Sequence, residues 1–304
     1  MSGLDVDTLI FGGGGIYGVA FLGALSELCA QNVLNLKNIR NYMGVSIGSI
    51  ICVALAVGYT VPELMNFFSN KSINRMYTDG VSSVFKRLIN LYYYNGFSQG
   101  IYLKNLYAEL LGGAKVKSDC TLGELKEKLG EVNVYLVASN LESGCEKIFS
   151  TDVKHNTLDV KVVDAMFMSS CVPIVFSPKV FSGGNSGKVL FDNIVDGGIT
   201  NAFPTNLLNE MDADVNKTFA LAISENIKEK CSINSPFDYL FALATRLLQR
   251  EWKVPSFRNI RGISIKIPND KNIISRSDIL FRNKEATAED IENIFSVGVR
   301  SVSV

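Results

Sequence analysis

Histidine is almost absent from this chain of 304 residues: His155 stands alone. One imidazole cannot build a histidine-based metal centre. It also leaves a single candidate for the base that a serine nucleophile ordinarily uses. The six cysteines, Cys29, Cys52, Cys120, Cys145, Cys171 and Cys231, are scattered without a Cys-x-x-Cys pair. Neither a zinc ribbon nor a disulfide framework is expected, and free thiols suit a reducing, intracellular compartment. An excess of either charge is missing too. Thirty basic and thirty acidic residues cancel, so no basic footprint points to nucleic acid. Met1 to Asp7 holds two acids and no cation, unlike a secretory leader.

A membrane-spanning run is also lacking. Gly44 to Val61 is uncharged for 18 residues, but glycine, serine and threonine interrupt it, and only Ile50 to Val57 is wholly apolar. A spanning helix needs about 20 apolar residues, so the run predicts a buried core helix. With 47% hydrophobic residues the chain can bury a real core, which excludes disorder.

What is present follows an alternating order. Thr8 to Phe11 reads as a buried strand running into Gly12-Gly13-Gly14-Gly15, and Ile16 to Gln31 has helical spacing, with Val19, Leu22, Leu25 and Leu28 on one face. Ile39 to Met43 is a second strand. Helices are expected over 62–69, 81–91, 103–111, 160–170, 236–252 and 287–300, and one runs from the capping box Thr121 to Glu124 as far as Leu129. Further strands are expected over 132–138, 147–150, 189–191, 218–223 and 263–267, with a polar loop over 182–188. Strand–glycine–helix–strand–turn–helix order predicts an α/β fold with a parallel sheet. No linker or repeat divides it.

Three motifs carry chemistry. Gly44-Val45-Ser46-Ile47-Gly48 stands at a strand-to-helix junction, where a sharp turn leaves no room for side chains two residues either side of the serine. The alternative is a serine that merely caps the helix. Gly13-Gly14-Gly15-Ile16-Tyr17-Gly18 satisfies a dinucleotide fingerprint, but that use needs an acid about 20 residues on, and none lies between Glu27 and Glu63. The other uses are bare amides aimed at an oxyanion, or close strand–helix packing. Asp196-Gly197-Gly198 is by itself an ordinary turn; it gains weight as a base beside Ser46. His155 is the rival base, in a polar segment that reads as an exposed loop.

In this order the motifs resemble the patatin-like phospholipase family. The resemblance spans about Asp7 to Leu208 and includes Asp164 to Pro178 and Asp196 to Pro204; the helix over 287–300 is similar to the family's closing helix. It implies a three-layer α/β sandwich with a mainly parallel central sheet, a catalytic core over 7–208, and a C-terminal extension over 209–304 packed on the same domain. It also implies a lipid acyl hydrolase that needs no metal or cofactor. Ser46 would be the acylated nucleophile and Asp196 the base. The amides of Gly13, Gly14, Gly15 and Ile16 would form the oxyanion hole, with Gly18, Gly44, Gly48, Gly197 and Gly198 supporting the turns. Tyr17 departs from the family, which usually has Arg or Lys there.

The implied partners are phospholipid or another fatty-acyl ester and, transiently, a membrane surface, with no nucleic acid; the location is cytoplasmic. Leu91, Tyr92, Tyr93, Tyr94 and Phe97 suit packing aromatics first, or else a lid or interface that gives an apolar substrate access to the site. Phe237 to Phe257 mixes apolar residues with Arg246, Arg250 and Lys253, which suits a packed surface helix or one lying on anionic lipid. The alternative function is a protein that binds lipid or acyl chains on the same fold without turnover.

Overall fold

A computed structural model describes residues 4–182, 189–211, 213–225, 239, 260–268, 270, 273–275, 279 and 284–302. The chain begins with β1 (Thr8–Phe11), α1 (Val19–Ala30), β2 (Asn41–Val45) and α2 (Ile47–Ala56). Then follow α3 (Val61–Ser69), α4 (Ile73–Thr78), α5 (Val84–Tyr94), β3 (Gly96–Ser98), α6 (Ile101–Gly113) and α7 (Leu122–Leu129). The second half holds β4 (Asn133–Asn140), β5 (Glu146–Ser150), α8 (Val162–Ser169), β6 (Ile174–Phe176), β7 (Lys179–Ser182), β8 (Val189–Asp196) and α9 (Leu207–Glu210). It closes with β9 (Thr218–Glu225), β10 (Arg261–Ile267) and α10 (Ala288–Val302).

The central sheet runs β10-β9-β1-β2-β4-β8-β7, with β5 also on β4. Pairing is parallel from β10 to β4 and antiparallel for β5, β7 and β8. This is the α/β fold with a mainly parallel sheet that the order of elements predicts. All four residues of β1 are buried, and alternation divides them. Leu9 and Phe11 join the larger core with α1, α2, α6 and α8; Ile10 joins Met43, Val45, Tyr135, Val137, Leu207 and Leu208 on the opposite face.

Several boundaries differ from expectation for identifiable reasons. β2 runs two residues past Met43, because Gly44 and Val45 still pair with Leu136 and Val137 of β4. The helix expected over 81–91 is α5, starting three residues later where Ser83 accepts a hydrogen bond from Lys86 N–H and ending at Asn95 with φ 58°. Tyr92, Tyr93 and Tyr94 are therefore inside the helix. The helix expected from Ile16 begins as a 3-10 turn over Gly15–Gly18 before α1. The short β3–β6 sheet was not anticipated. The loop over 183–188 and the helical and basic-face readings over 236–257, except Tyr239, lie outside the described residues, as does Cys231.

β9, beyond the region of family resemblance, lies hydrogen-bonded along β1 with Thr8 opposite Thr218 and Phe11 opposite Leu221. The C-terminal part thus extends the parallel sheet beyond β1 at one end.

Candidate active site

Ser46 joins β2 to α2 with φ 56° and ψ −124°, a conformation that L-residues rarely adopt. The turn is so tight that a Cβ on Gly44 would fall 2.4 Å from the Gly48 carbonyl carbon, and one on Gly48 would fall 2.6 Å from Phe11 O. Glycine at these two places is therefore a steric requirement, as the motif suggested. Ser46 keeps 9% exposure and stands at the N-terminus of a ten-residue helix, where partial positive charge gathers.

Beneath the turn is a hydroxyl network that sequence reasoning missed. Ser46 N–H donates to Ser169 Oγ at 3.2 Å, Ser169 Oγ donates to Val137 O at 2.5 Å, and Ser49 Oγ donates to Gly44 O at 2.8 Å. Ser49 and Ser169 hydroxyls lie 2.6 Å apart. All are buried, and together they tie the turn to β4 and α8. Ser49 follows Ser46 by three residues on one helix, which was a usable signal; nothing local marked Ser169.

The sheet brings Asp196 to the same place. On one edge of β4, Tyr135 to Ser139 pair with β5. The other edge pairs with β2 as far as Val137 and then with β8, Asp196 lying opposite Ala138. Two strands running in opposite directions thus share one edge of β4 and meet end to end, with Ser46 following the last β2 pair and Asp196 ending β8. A Cβ on Gly197 would lie 2.3 Å from Val137 O and 3.1 Å from Val45 Cγ1, so only glycine lets the two ends abut.

Asp196 is 2% exposed. Its carboxylate accepts the Gly198 N–H at 2.8 Å and its own N–H donates to Cys171 O at 2.8 Å. Around it, burial above all pushes the Tyr107 phenol and the Cys171 thiol up from their ordinary pKa values, and the Asp196 charge adds to both shifts. Tyr107 also shares a 2.8 Å hydrogen bond with the Ser170 hydroxyl. These acids stay neutral at physiological pH beside a buried carboxylate.

The glycine loop leans on the same turn. A Cβ on Gly18 would fall 2.5 Å from the side chain of Ile47, the residue after Ser46. One of the four expected oxyanion donors is taken: Gly13 N–H donates to Ala202 O at 3.2 Å, fixing the loop to the segment after Asp196. Gly14 O accepts from Tyr17 N–H. The amides of Gly15 and Ile16 open the 3-10 turn and have no acceptor among the described residues, as the first amides of a helix do. Tyr17 is buried and its hydroxyl donates to Ile274 O at 3.3 Å, so at this position the chain anchors its C-terminal part.

His155 is not in the exposed loop expected of it. It ends a 3-10 turn, half-buried, with its ring edge-on to Tyr135 at 5.7 Å. Tyr135 belongs to the smaller core, three residues upstream of Ala138 on β4, or about 10 Å along the strand. Burial lowers the His155 pKa, partly opposed by Asp152 and Glu210. None of its described contacts is Ser46 or Asp196.

The patatin-like phospholipase family model matches residues 9–209, about two-thirds of the chain. The chain belongs to that family. Among curated proteins it is 27% identical to uncharacterized protein R571 of Acanthamoeba polyphaga mimivirus, over 98% of this chain and 93% of that one. It is also 27% identical to probable lipid hydrolase 463L of Invertebrate iridescent virus 6, over 66% and 62%. Among solved structures, VipD from Legionella pneumophila aligns at 15% identity with a TM-score of 0.48, covering 99% of this chain and 68% of that one. The type III effector protein ExoU aligns at 15% and 0.49, and there the chain spans about half, 53%, of the neighbour.

Proposed function

We propose that the protein hydrolyses fatty-acyl esters of lipids, phospholipids among them, through a Ser46–Asp196 dyad. The end-to-end meeting of β2 and β8 on one edge of β4 supports this reading, since Ser46 follows the last paired residue of β2 and Asp196 ends β8. Family membership and the probable lipid hydrolase relative support the substrate class.

In the proposed reaction Ser46 Oγ attacks the acyl carbon and its proton passes to Asp196. The oxyanion formed is held by the amides of Gly15 and Ile16 at the positive end of the 3-10 turn; Gly14 shapes the loop and Gly13 tethers it. Asp196 returns the proton to the departing alcohol or lysophospholipid. Water then loses a proton to the same carboxylate as it attacks the acyl-enzyme, and the fatty acid leaves with Ser46 restored. No step calls on a metal or cofactor.

The test is a panel of phospholipid, lysophospholipid, triacylglycerol and short-chain ester substrates with chelator present. Ser46→Ala should lose both turnover and labelling by a fluorophosphonate, and Asp196→Asn should lower kcat by about 1,000-fold or more. Full labelling of the Ser46→Ala protein, or an Asp196→Asn protein at wild-type rate, would overturn the dyad.

A further inference from the structure

α5 is built inside out. Phe85, Leu88, Ile89, Tyr92 and Tyr93 stand at i, i+3, i+4, i+7 and i+8, the spacing of a buried face, yet all five point to solvent. Phe85 and Tyr93 are 70% exposed and Tyr92 82%. Turned inward instead are polar groups. Arg87 Nε donates to Val81 O and Asn90 Nδ2 to Phe97 O, both at 2.9 Å. Both bonds run to the segments that enter and leave the helix, on the side away from the exposed apolar stripe.

We propose that this stripe docks on an anionic phospholipid surface and presents the Ser46 site to it. The proposal rests on the lipid-hydrolase reading for the class of partner, and three observations choose a bilayer. First, the stripe mixes aliphatic and tyrosine side chains, whose apolar rings with polar tips suit the boundary between headgroups and acyl chains. Second, α5 carries the exposed Lys86 beside the stripe and no acid anywhere from Val84 to Tyr94, a local positive charge in a chain whose total is zero.

Third, the stripe is joined to the site. α5 leads directly into β3, β3 pairs with β6 through Gly96 and Ile174, and Ser177 N–H donates to Ser98 O. Three residues before β6 is Cys171, whose carbonyl accepts the Asp196 N–H. α5 is thus linked, through β3 and β6, to the buried segment whose Cys171 carbonyl fixes Asp196.

The experiment uses the whole protein and vesicles of phosphatidylcholine with and without phosphatidylserine. Three proteins are compared: wild type, the triple variant Leu88→Ser/Ile89→Ser/Tyr92→Ser, and Lys86→Glu. These side chains are exposed, so melting temperatures should match. Wild type should co-float with serine-lipid vesicles, and the triple variant should bind them at least about tenfold more weakly. Lys86→Glu should weaken binding to serine-lipid vesicles only. Hydrolysis of a soluble short-chain ester should be unchanged in both variants while vesicle hydrolysis falls with binding.

Equal flotation of wild type and triple variant would overturn the proposal. So would a wild-type dimer that the triple variant converts to monomer, because a second copy would then cover the stripe. Loss of vesicle binding in the variant together with no ester turnover in any protein would uphold the surface and reject the dyad.

Discussion

Ser46 occupies a strained backbone conformation, and the residues that make this tolerable are small. Adding one methyl at Gly48 or Gly197 drives it into backbone carbonyls of β1 or β4, which cannot give way like a side-chain end. Gly48→Ala and Gly197→Ala should each lose about 1–3 kcal/mol in urea unfolding, with activity falling in parallel. Ser169→Ala removes the hydroxyl that accepts Ser46 N–H and donates to Val137 O. It should cost about 1–3 kcal/mol and lower kcat more than it changes KM, because the turn loosens while the lipid contacts remain.

His155 tests the proposed dyad from the other side. His155→Gln should leave kcat within about twofold, as expected of a group making no transition-state contact. Its lowered pKa has a stability consequence of definite sign. Below the ordinary value of 6.5 the unfolded chain takes up the proton before the native one, so stability falls as pH drops from that point. Melting temperatures at neutral and mildly acid pH should differ less in His155→Gln than in wild type. The serine motif was legible because Gly44 and Gly48 meet across a single turn. Ser169 and the engaged Gly13 amide were not, since both depend on contacts far along the chain.

At the level of elements, periodicity marked the long helices among the described residues but neither the short α4 and α9 nor what covers each helix. α1 shows an apolar stripe, yet it is buried nearly all round because α10 lies against its other side. The two approach so closely that a Cβ on Gly23 would overlap Phe295 O and one on Gly298 would overlap Ala20 O. Gly298→Val should separate the helices and lower the melting temperature well beyond the effect of Ser301→Ala, which removes only a local hydrogen bond to Gly298 O. α5 fails the same inference in the opposite direction. Its spacing says buried face, yet that face is exposed. The capping boxes at Thr60–Glu63 and Thr121–Glu124 show where local chemistry does decide an end.

Over the whole molecule, the family match stops at residue 209 but the sheet does not. β9 supplies the neighbour of β1 on its otherwise open edge and buries Phe219, Leu221 and Ile223. We expect a chain truncated after Leu208 to aggregate on expression, because it leaves the edge of β1 unpaired and an apolar face uncovered. Recovery of a monomeric, cooperatively melting product would show that the core over 7–208 folds alone. Among the described residues no helix is long and apolar enough to cross a membrane.

From sequence alone came the α/β class, the glycine-bounded serine, the acidic turn and the exclusion of a histidine-built metal centre. They rest on the order of apolar segments, on residue spacing within a single turn and on composition, none of which needs coordinates. Tertiary structure alone decided that β2 and β8 share an edge of β4, that Gly13 is spent on Ala202, and that α5 faces outward. Those outcomes are set by pairing and packing between segments up to about 190 residues apart, a range over which the order of amino acids has no local physical signature.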